Sequence, residues 1–430
     1  LIVLVDLMGF TIVMPLLPRF ASDYGFTGTQ IGLIMAAYPF MQLLSAPLLG
    51  WLSDRHGRRP VLIVSQFGTS ISFVILALTQ DFRVMLLARM LDGASGGNIL
   101  VAQAYIADVT TPENRSRGLG MLGAAFGIGF VLGPMLAGLL LSFTWPDGWA
   151  TRVPFLVAAG FSTLAWILVL WKLPESLSTT ERGRAAHART LSLQGLTQAV
   201  RRSQAGVLIL VGSLITLAFS ALEGTFALFL QKRFHWDAPT AAFTFGFLGV
   251  LSAVIQGGFI RPMVRSFGEA RLILTGATIL AWGFVSLASA NEVPWLLLAM
   301  TMIALGYGLA VPTVSGLLSR STPPLEQGAL FGVYASAQTF ARMTNYLLAN
   351  RLLSDLGPSA PFWEAAAITV AALLLAVAAG VWRFSPRGAT TETVWSEEQS
   401  PRSESPARDL PTGASNPSDA RAISSAPALE

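Results

Sequence analysis

Residues Gly50 to Leu62 read GWLSDRHGRRPVL, one acid among several bases in a glycine-bearing turn set between two long apolar runs. A polar knot this dense, flanked by sequence that is comfortable only in hydrocarbon, is the hinge between two membrane-spanning helices. Each residue type has a physical use there. Gly57 permits a tight reversal. Arg55, Arg58 and Arg59 stay at the headgroups, and Asp54 is placed to meet the positive N-terminus of a facing helix. A plainer reading, that the three arginines only enforce topology, stands beside this one.

Composition extends the membrane reading to the whole chain. Of 430 residues, 53% are apolar and 12% charged, and the mean hydropathy is +0.59, well outside soluble norms. Cysteine is absent, which excludes disulfides and thiolate chemistry, and His56, His187 and His235 are too scattered to form a metal cluster. The net charge of +4 is dispersed at the ends of apolar runs and never forms a stripe interleaved with aromatics, so no nucleic-acid partner is expected. No nucleophile and base set is visible, so no enzyme is expected either. The stretch 1–18 lacks a basic leader and a small-residue cleavage site, and reads as a first transmembrane helix. Because it starts abruptly at Leu1, a short charged leader is expected ahead of it.

Apolar runs of about 20 residues, enough to cross about 30 Å of hydrocarbon, fall at 1–20, 30–51, 60–79, 82–107, 118–141 and 152–173. Six more fall at 205–230, 240–261, 270–289, 293–318, 328–350 and 361–383. They are too long and too uniformly apolar for barrel strands. The fold class is therefore an all-α integral membrane protein with twelve transmembrane helices in two six-helix repeats. Its parts are an N-terminal half (1–173), a linker (174–204), a C-terminal half (205–384) and a Pro- and Ser-rich tail (385–430) expected to be disordered. Basic residues concentrate in alternate loops, among them Arg55, Arg58, Arg59, Arg115, Arg117 and Arg265. The positive-inside rule puts those loops, the linker and both termini in the cytoplasm. Gly57 answers Gly268, and Thr111-Pro112 answers Thr322-Pro323 at the same offset, which points to duplication of a six-helix unit around a central cavity. In the second copy Arg265 stands where Asp54 stands, so the acid belongs to the first half alone.

Several polar residues lie inside the apolar runs. Arg89 and Asp92 sit three apart in the fourth span, near one face, and neither belongs in lipid. They are either part of proton transfer or an internally neutralised packing pair. The fifth span, GAAFGIGFVLGPMLAG, carries Gly133 and Pro134, which allow close helix approach and a bend. Asp6 in the first span and Glu223 in the seventh are acids at comparable places in the two halves. Hydrocarbon favours a neutral carboxyl, so such groups are candidates to exchange a proton. Solvation near a helix end for Asp6, or a structural hydrogen bond for Glu223, is the alternative. Arg342 is a counter-ion or an anion contact, or else a structural partner. Polar or aromatic side chains in apolar helices supply the candidate substrate contacts: Tyr38, Phe40, Gln42, Gln103, Glu223, Phe226, Gln256, Tyr307, Gln338 and Arg342. Aromatics are equally common as interfacial anchors.

The hinge, through Gly50, Leu52, Asp54, Arg55, Gly57, Arg58 and Arg59, resembles the signature loop between the second and third helices of the major facilitator superfamily. In that family the acid helps latch the inward side shut. Arg89, Gly93 and Ser95 resemble its helix-4 motif, linked to proton transfer, with Asp92 at a place usually neutral. The Gly-Pro stretch resembles the antiporter motif of the drug/proton branch, with Ala137 in place of a frequent glycine. Over about 380 residues the chain is similar to tetracycline/proton antiporters, through LVDLMGF, MPLLP, SDRHGRRPVL, QKRFHW and LEQGALFG. It departs from them where an acid is expected near Ser72, a histidine near Ser252 and an acid near Thr278, which speaks against a magnesium-chelated tetracycline as substrate. The resemblance implies proton-coupled export of a small amphiphile, with the proton as coupling ion and no cofactor or metal. The expected setting is the inner membrane, with the lipid bilayer and a small molecule as partners and a monomer as the working unit. A metabolite or organic-anion transporter of the same fold is the nearest alternative, and a non-transporting receptor or scaffold the alternative from another class.

Overall fold

A computed structural model of the chain describes residues 1–177, 203–322 and 324–383. The expectations placed on 178–202 and on the tail from 384 lie outside the described residues. Twelve helical spans follow in order: α1 (Ile2–Asp23), α2 (Gly28–His56), α3 (Arg58–Leu78), α4 (Phe82–Val109), α5 (Pro112–Ser142), α6 (Arg152–Lys172), α7 (Ser203–Phe234), α8 (Ala238–Phe267), α9 (Glu269–Ala288), α10 (Val293–Arg320), α11 (Pro324–Asp355) and α12 (Ala360–Ala378). No strand occurs among the described residues. Their ends lie within a few residues of the apolar runs. By length and composition 11 spans qualify as membrane crossings. α11 does not, because Arg342, Asn345, Asn350 and Arg351 interrupt it; such residues are tolerated only toward the interior of a bundle, and α11 packs along α2 and α7.

Local chemistry sets where helices start and where they bend. Thr27 and Gln30 form a reciprocal capping box at α2. Asp81 accepts the Arg83 and Val84 amides at 2.8 and 3.1 Å to open α4, and Asp237 accepts the Thr240 amide at 3.0 Å to open α8. Those hydrogen bonds from Thr240 hold the Asp237 carboxyl below the usual carboxylate range. α1 breaks at 14–16 beside Pro15, α4 at the Gly96-Gly97 pair, and α8 widens into a π-turn at Ile255–Phe259. The hinges after α2 and α8 use the same device: Gly57 has φ 103° and Gly268 φ 77°, a region that costs side-chain-bearing residues strain. The glycine landmark of the repeat thus recurs as a backbone conformation.

The described residues form a single contact unit with two main apolar cores. One draws only on α7–α12 and the short turn after α12, with Phe226, Phe229, Phe284 and Phe362 fully buried. The other is built on α1–α6 and admits Leu228, Ala242, Tyr346 and Leu353 from the far half. Lipid tails are as apolar as leucine, so helix association here depends on close packing. The halves meet along α2 with α11 and α5 with α8. A Cβ on Gly32 would fall 2.9 Å from the Tyr346 carbonyl, and one on Gly249 would fall 2.5 Å from that of Phe130. Toward the α4–α5 and α8–α9 loops the second seam opens. A Cβ on Gly120, Gly123 or Gly127 of α5, or on Gly257 or Gly258 of α8, would meet nothing within 4 Å from outside its own helix turn, and a cavity occupies the gap.

Candidate functional site

That cavity measures about 830 Å³, within the range of small-molecule sites. Thr11 and Pro15 of α1, the glycine face and Pro134 of α5, Phe219 and Glu223 of α7, and Phe245, Ser252, Gln256 and Arg261 of α8 line it. Tyr307 of α10 and Arg342 of α11 complete the wall. Glu223 is the acid in this lining, and two side chains of α11 hold it. The Tyr346 hydroxyl donates to its Oε2 at 2.9 Å, and the Arg342 Nε lies 3.9 Å away. Tyr307 stacks on Phe219 at 3.8 Å between ring centres, giving the cavity a flat aromatic wall.

Of the ten residues chosen as substrate contacts, Glu223, Gln256, Tyr307 and Arg342 line the cavity. Phe226 does not. It is fully buried against Phe229 and Phe245 in the core of the C-terminal half, because its side of α7 faces neighbouring helices. Gln338 donates to Thr216 at 3.1 Å. Phe40 of α2 and Gln103 of α4 are exposed and away from the lining. Tyr38 and Gln42 belong to a separate cluster around Arg89. Arg89 and Asp92 form a buried ion pair at 2.6 Å, the guanidinium lies 4.8 Å from the Tyr38 ring centre, and Gln42 donates to the Tyr38 hydroxyl at 3.3 Å and the Gly96 carbonyl at 2.9 Å. Gly93 lets α4 approach the Tyr38 carbonyl of α2 so closely that a Cβ would collide with it.

Asp6 and Glu223 are not equivalent, a correction to the sequence reading. At the offset of the repeat Asp6 maps to Leu217, and its surroundings differ. Gln66, Asn98 at 2.9 Å and Ser162 at 3.3 Å all donate to it, from α3, α4 and α6. Three convergent donors occupy its oxygens, where Glu223 has one donor and a cation. Gly133 abuts Thr11, whose hydroxyl donates to the Gly129 carbonyl at 2.8 Å. The Gly-Pro stretch therefore fixes α5 on α1 while Pro134 reaches the cavity.

The hinge loop is more elaborate than its sequence suggests. Asp54 and Arg58 are both buried and pair at 2.5 Å, and Arg58 also reaches Asp108 at 3.0 Å and the Ser53 hydroxyl at 2.6 Å. The carboxylate seated on a helix N-terminus is Glu175, after α6, which accepts the Arg58 and Arg59 amides at the head of α3 at 2.8 and 3.2 Å. Sequence reasoning placed Asp54 to meet the N-terminus of a facing helix; Glu175 takes the N-terminus of α3, and Asp54 pairs with Arg58. Gly57 leaves room for Glu175, which a Cβ would strike, whereas a Cβ on Gly50 would meet open space. Arg55 is exposed over Trp51 at 5.4 Å, a placement that suits the topological role. In the second half the pattern returns with its signs reversed. Glu269 occupies the place of Arg58, Arg265 that of Asp54, and Arg320 pairs with Glu269 at 3.5 Å. The second loop is charge-inverted, not merely degraded. At the opposite end of the bundle Arg19 donates to the Trp236 carbonyl at 2.8 Å and Gln231 to Asp23 at 3.3 Å, bridging α1 to the far half. Glu175, Asp108 and Arg19 escaped the sequence reading because they stand at helix ends, where charge is ordinary.

A glycine-lined cavity between two six-helix halves, above paired hinge loops, defines a secondary transporter of the alternating-access kind. The chain belongs to the Major Facilitator Superfamily, whose model matches residues 1–345 and 258–419. The tetracycline resistance protein, class C, of Escherichia coli is 31% identical over 384 residues, covering 87% of this chain and 93% of that protein. Major facilitator superfamily domain-containing protein 10 of Mus musculus is 30% identical over 386 residues, covering 79% and 82%. The crystal structure of the human organic anion transporter MFSD10 (TETRAN) superposes with a TM-score of 0.66 at 26% identity, covering 87% of this chain and 97% of that one. The inward open xylose transporter XylE from Escherichia coli gives 0.69 at 18% identity, covering 92% and 98%, a likeness of fold alone.

Proposed function

We propose that this chain exports small amphiphilic compounds in exchange for protons, working as a monomer in the inner membrane with both termini cytoplasmic. The observation that carries this reading is Glu223, a carboxylate in the cavity wall held by Arg342 and Tyr346. A proton and a substrate that both disturb this triad compete for it without having to overlap, and exchange follows as linkage between the two bindings. Arg89 with Asp92 forms a second charge network, and Asp6, with its three donors, is a further participant. The loop of Gly50, Asp54, Arg55, Gly57 and Arg58, together with Gly133 and Pro134, gates the change of access.

A second reading concerns charge. The cavity carries Arg261 and Arg342 against the carboxylate of Glu223, which favours amphiphiles bearing an anionic group, and the relative MFSD10 is described as an organic anion transporter. Other relatives are tetracycline resistance proteins. Here Ser72 donates to the Ala88 carbonyl at 2.7 Å, Ser252 lines the cavity and Thr278 bonds its own helix at 2.9 Å. Substrate recognition without a chelated magnesium ion follows from that chemistry. Everted vesicles energised with an acidic interior test the proposal against a panel of cationic, neutral and anionic amphiphiles, with tetracycline assayed with and without magnesium. Gradient-dependent accumulation of one class supports export. No gradient-dependent flux of any compound would favour the scaffold reading instead.

A further inference from the structure

α12 carries one acid, Glu364, in its second turn, within the apolar stretch APFWEAAAITV. Both of its carboxyl oxygens are buried and neither has a hydrogen-bond partner. The polar side chain beside it is Asn345 of α11, which is itself fully buried. Asn345 directs its amide at the Leu217 carbonyl of α7, 2.6 Å away, and its own Oδ1 also lacks a donor. Buried acceptor oxygens on α11 and α12 are thus left without a donor in bonding geometry, a condition that native interiors avoid.

Among the described residues no charge on the helices packed against α12 relieves it. On α7, Glu223 is taken up by Arg342 and Tyr346 of α11, and Arg233 by the Ala290 carbonyl and Asn291. On α9, Glu269 pairs with Arg320, and on α11, Arg351 pairs with Asp355. Lys232 of α7 and Arg271 of α9 are exposed. An ionised carboxylate with neither cation nor donor is the least tolerable state of a buried acid. A single proton removes the charge and turns one Glu364 oxygen from an unfilled acceptor into a donor.

We infer that Glu364 is a proton-carrying site of α12, which holds its proton in this packing, beside Asn345, and releases it to water when α7, α11 and α12 rearrange. Asn345 and Tyr346 are consecutive on α11, so a shift of α11 that breaks the contact of Tyr346 with Glu223 also moves the polar neighbour of Glu364. The two carboxyls are thereby coupled through one helix. This goes beyond the export reading, on which it relies for the driving ion, and adds a second proton on the opposite flank of α11.

The test uses the purified full-length protein and dicyclohexylcarbodiimide, which attacks neutral carboxyls in apolar surroundings, with adducts mapped by mass spectrometry. The expected result is an adduct on Glu364 that exceeds those on Asp147 and Glu292 in the loops, with a yield falling about tenfold per pH unit above its midpoint as the neutral fraction falls. Glu364→Gln, which imitates the protonated acid, is expected to flatten the pH profile of transport. Folded wild-type protein that shows no Glu364 adduct at any pH, or a variant with an unchanged profile, would overturn the inference. If the variant does not fold, the wild-type labelling decides alone. If Glu364 labels but no proton-driven flux exists, the export reading fails and the protonated site stands.

Discussion

Asp54→Asn exchanges one oxygen for an amide and leaves the shape of the hinge unchanged. The carboxylate it removes is buried and meets Arg58 at 2.5 Å, while Arg58 keeps Asp108 at 3.0 Å and Ser53 at 2.6 Å. Arg58 is therefore not stranded, and the loss is the difference between a charge-assisted and a neutral hydrogen bond, about 1–2 kcal/mol. If the loop biases the equilibrium between inward and outward states, that energy shifts the balance about 5–30-fold. Initial transport rate at equal reconstituted protein should fall by a similar factor, with membrane yield unchanged. Arg55→Ala is the control. Its exposed side chain stacks on Trp51, and its loss should cost within about 0.5 kcal/mol, about a twofold change. The reasoning fails if Asp54→Asn transports within twofold of wild type, or if Arg55→Ala is equally damaging.

Other consequences are equally concrete. Arg89→Ala strands buried Asp92, so it should cost about 3–5 kcal/mol and sharply reduce the yield of folded protein, whereas Arg89→Met with Asp92→Leu should restore it; thermal unfolding in detergent reads both. Arg19→Ala removes the bridge to the Trp236 carbonyl, and a cysteine introduced at Ser252 in the cavity wall should then react faster with an impermeant thiol reagent in intact cells; an unchanged rate would assign the closure of that end to other contacts. For orientation, single cysteines at Ser178 and Ser403 should resist that reagent in intact cells and one at Ser22 should react, while labelling of Ser178 before lysis would reverse the assignment.

The twelve spans were legible because each is a long apolar run ended by a charge, a proline or a positive-φ glycine, and Gly57 and Gly268 marked the repeat even though the residues around them changed sign. α11 was legible only from its position in the series, since Arg342 and Asn345 spoil its hydropathy. The cavity was half legible. An acid or arginine inside hydrocarbon announces itself, which is how Glu223 and Arg342 were found, but which way an aromatic or amide faces depends on helix rotation. Phe226 and Gln256 look alike as interruptions or bulky members of an apolar run, and only packing places one in the core and the other on the cavity wall. The partners of the hinge were hidden for another reason: Glu175 and Asp108 lie far from Arg58 in sequence and reach it only once α3, α4 and α6 are packed. Glu364 had the same signature as Glu223, an acid in an apolar run, yet it escaped the sequence reading.

Glu223→Gln tests the account most directly. The substitution keeps an oxygen to accept from Tyr346 but removes the charge opposite Arg342 and the ability to take up a proton. In proteoliposomes with an imposed pH gradient and a substrate verified on the wild type, the account predicts that uphill accumulation is abolished while the purified variant remains folded. Undiminished uphill transport by the folded variant would contradict it and move the coupling proton to another carboxyl.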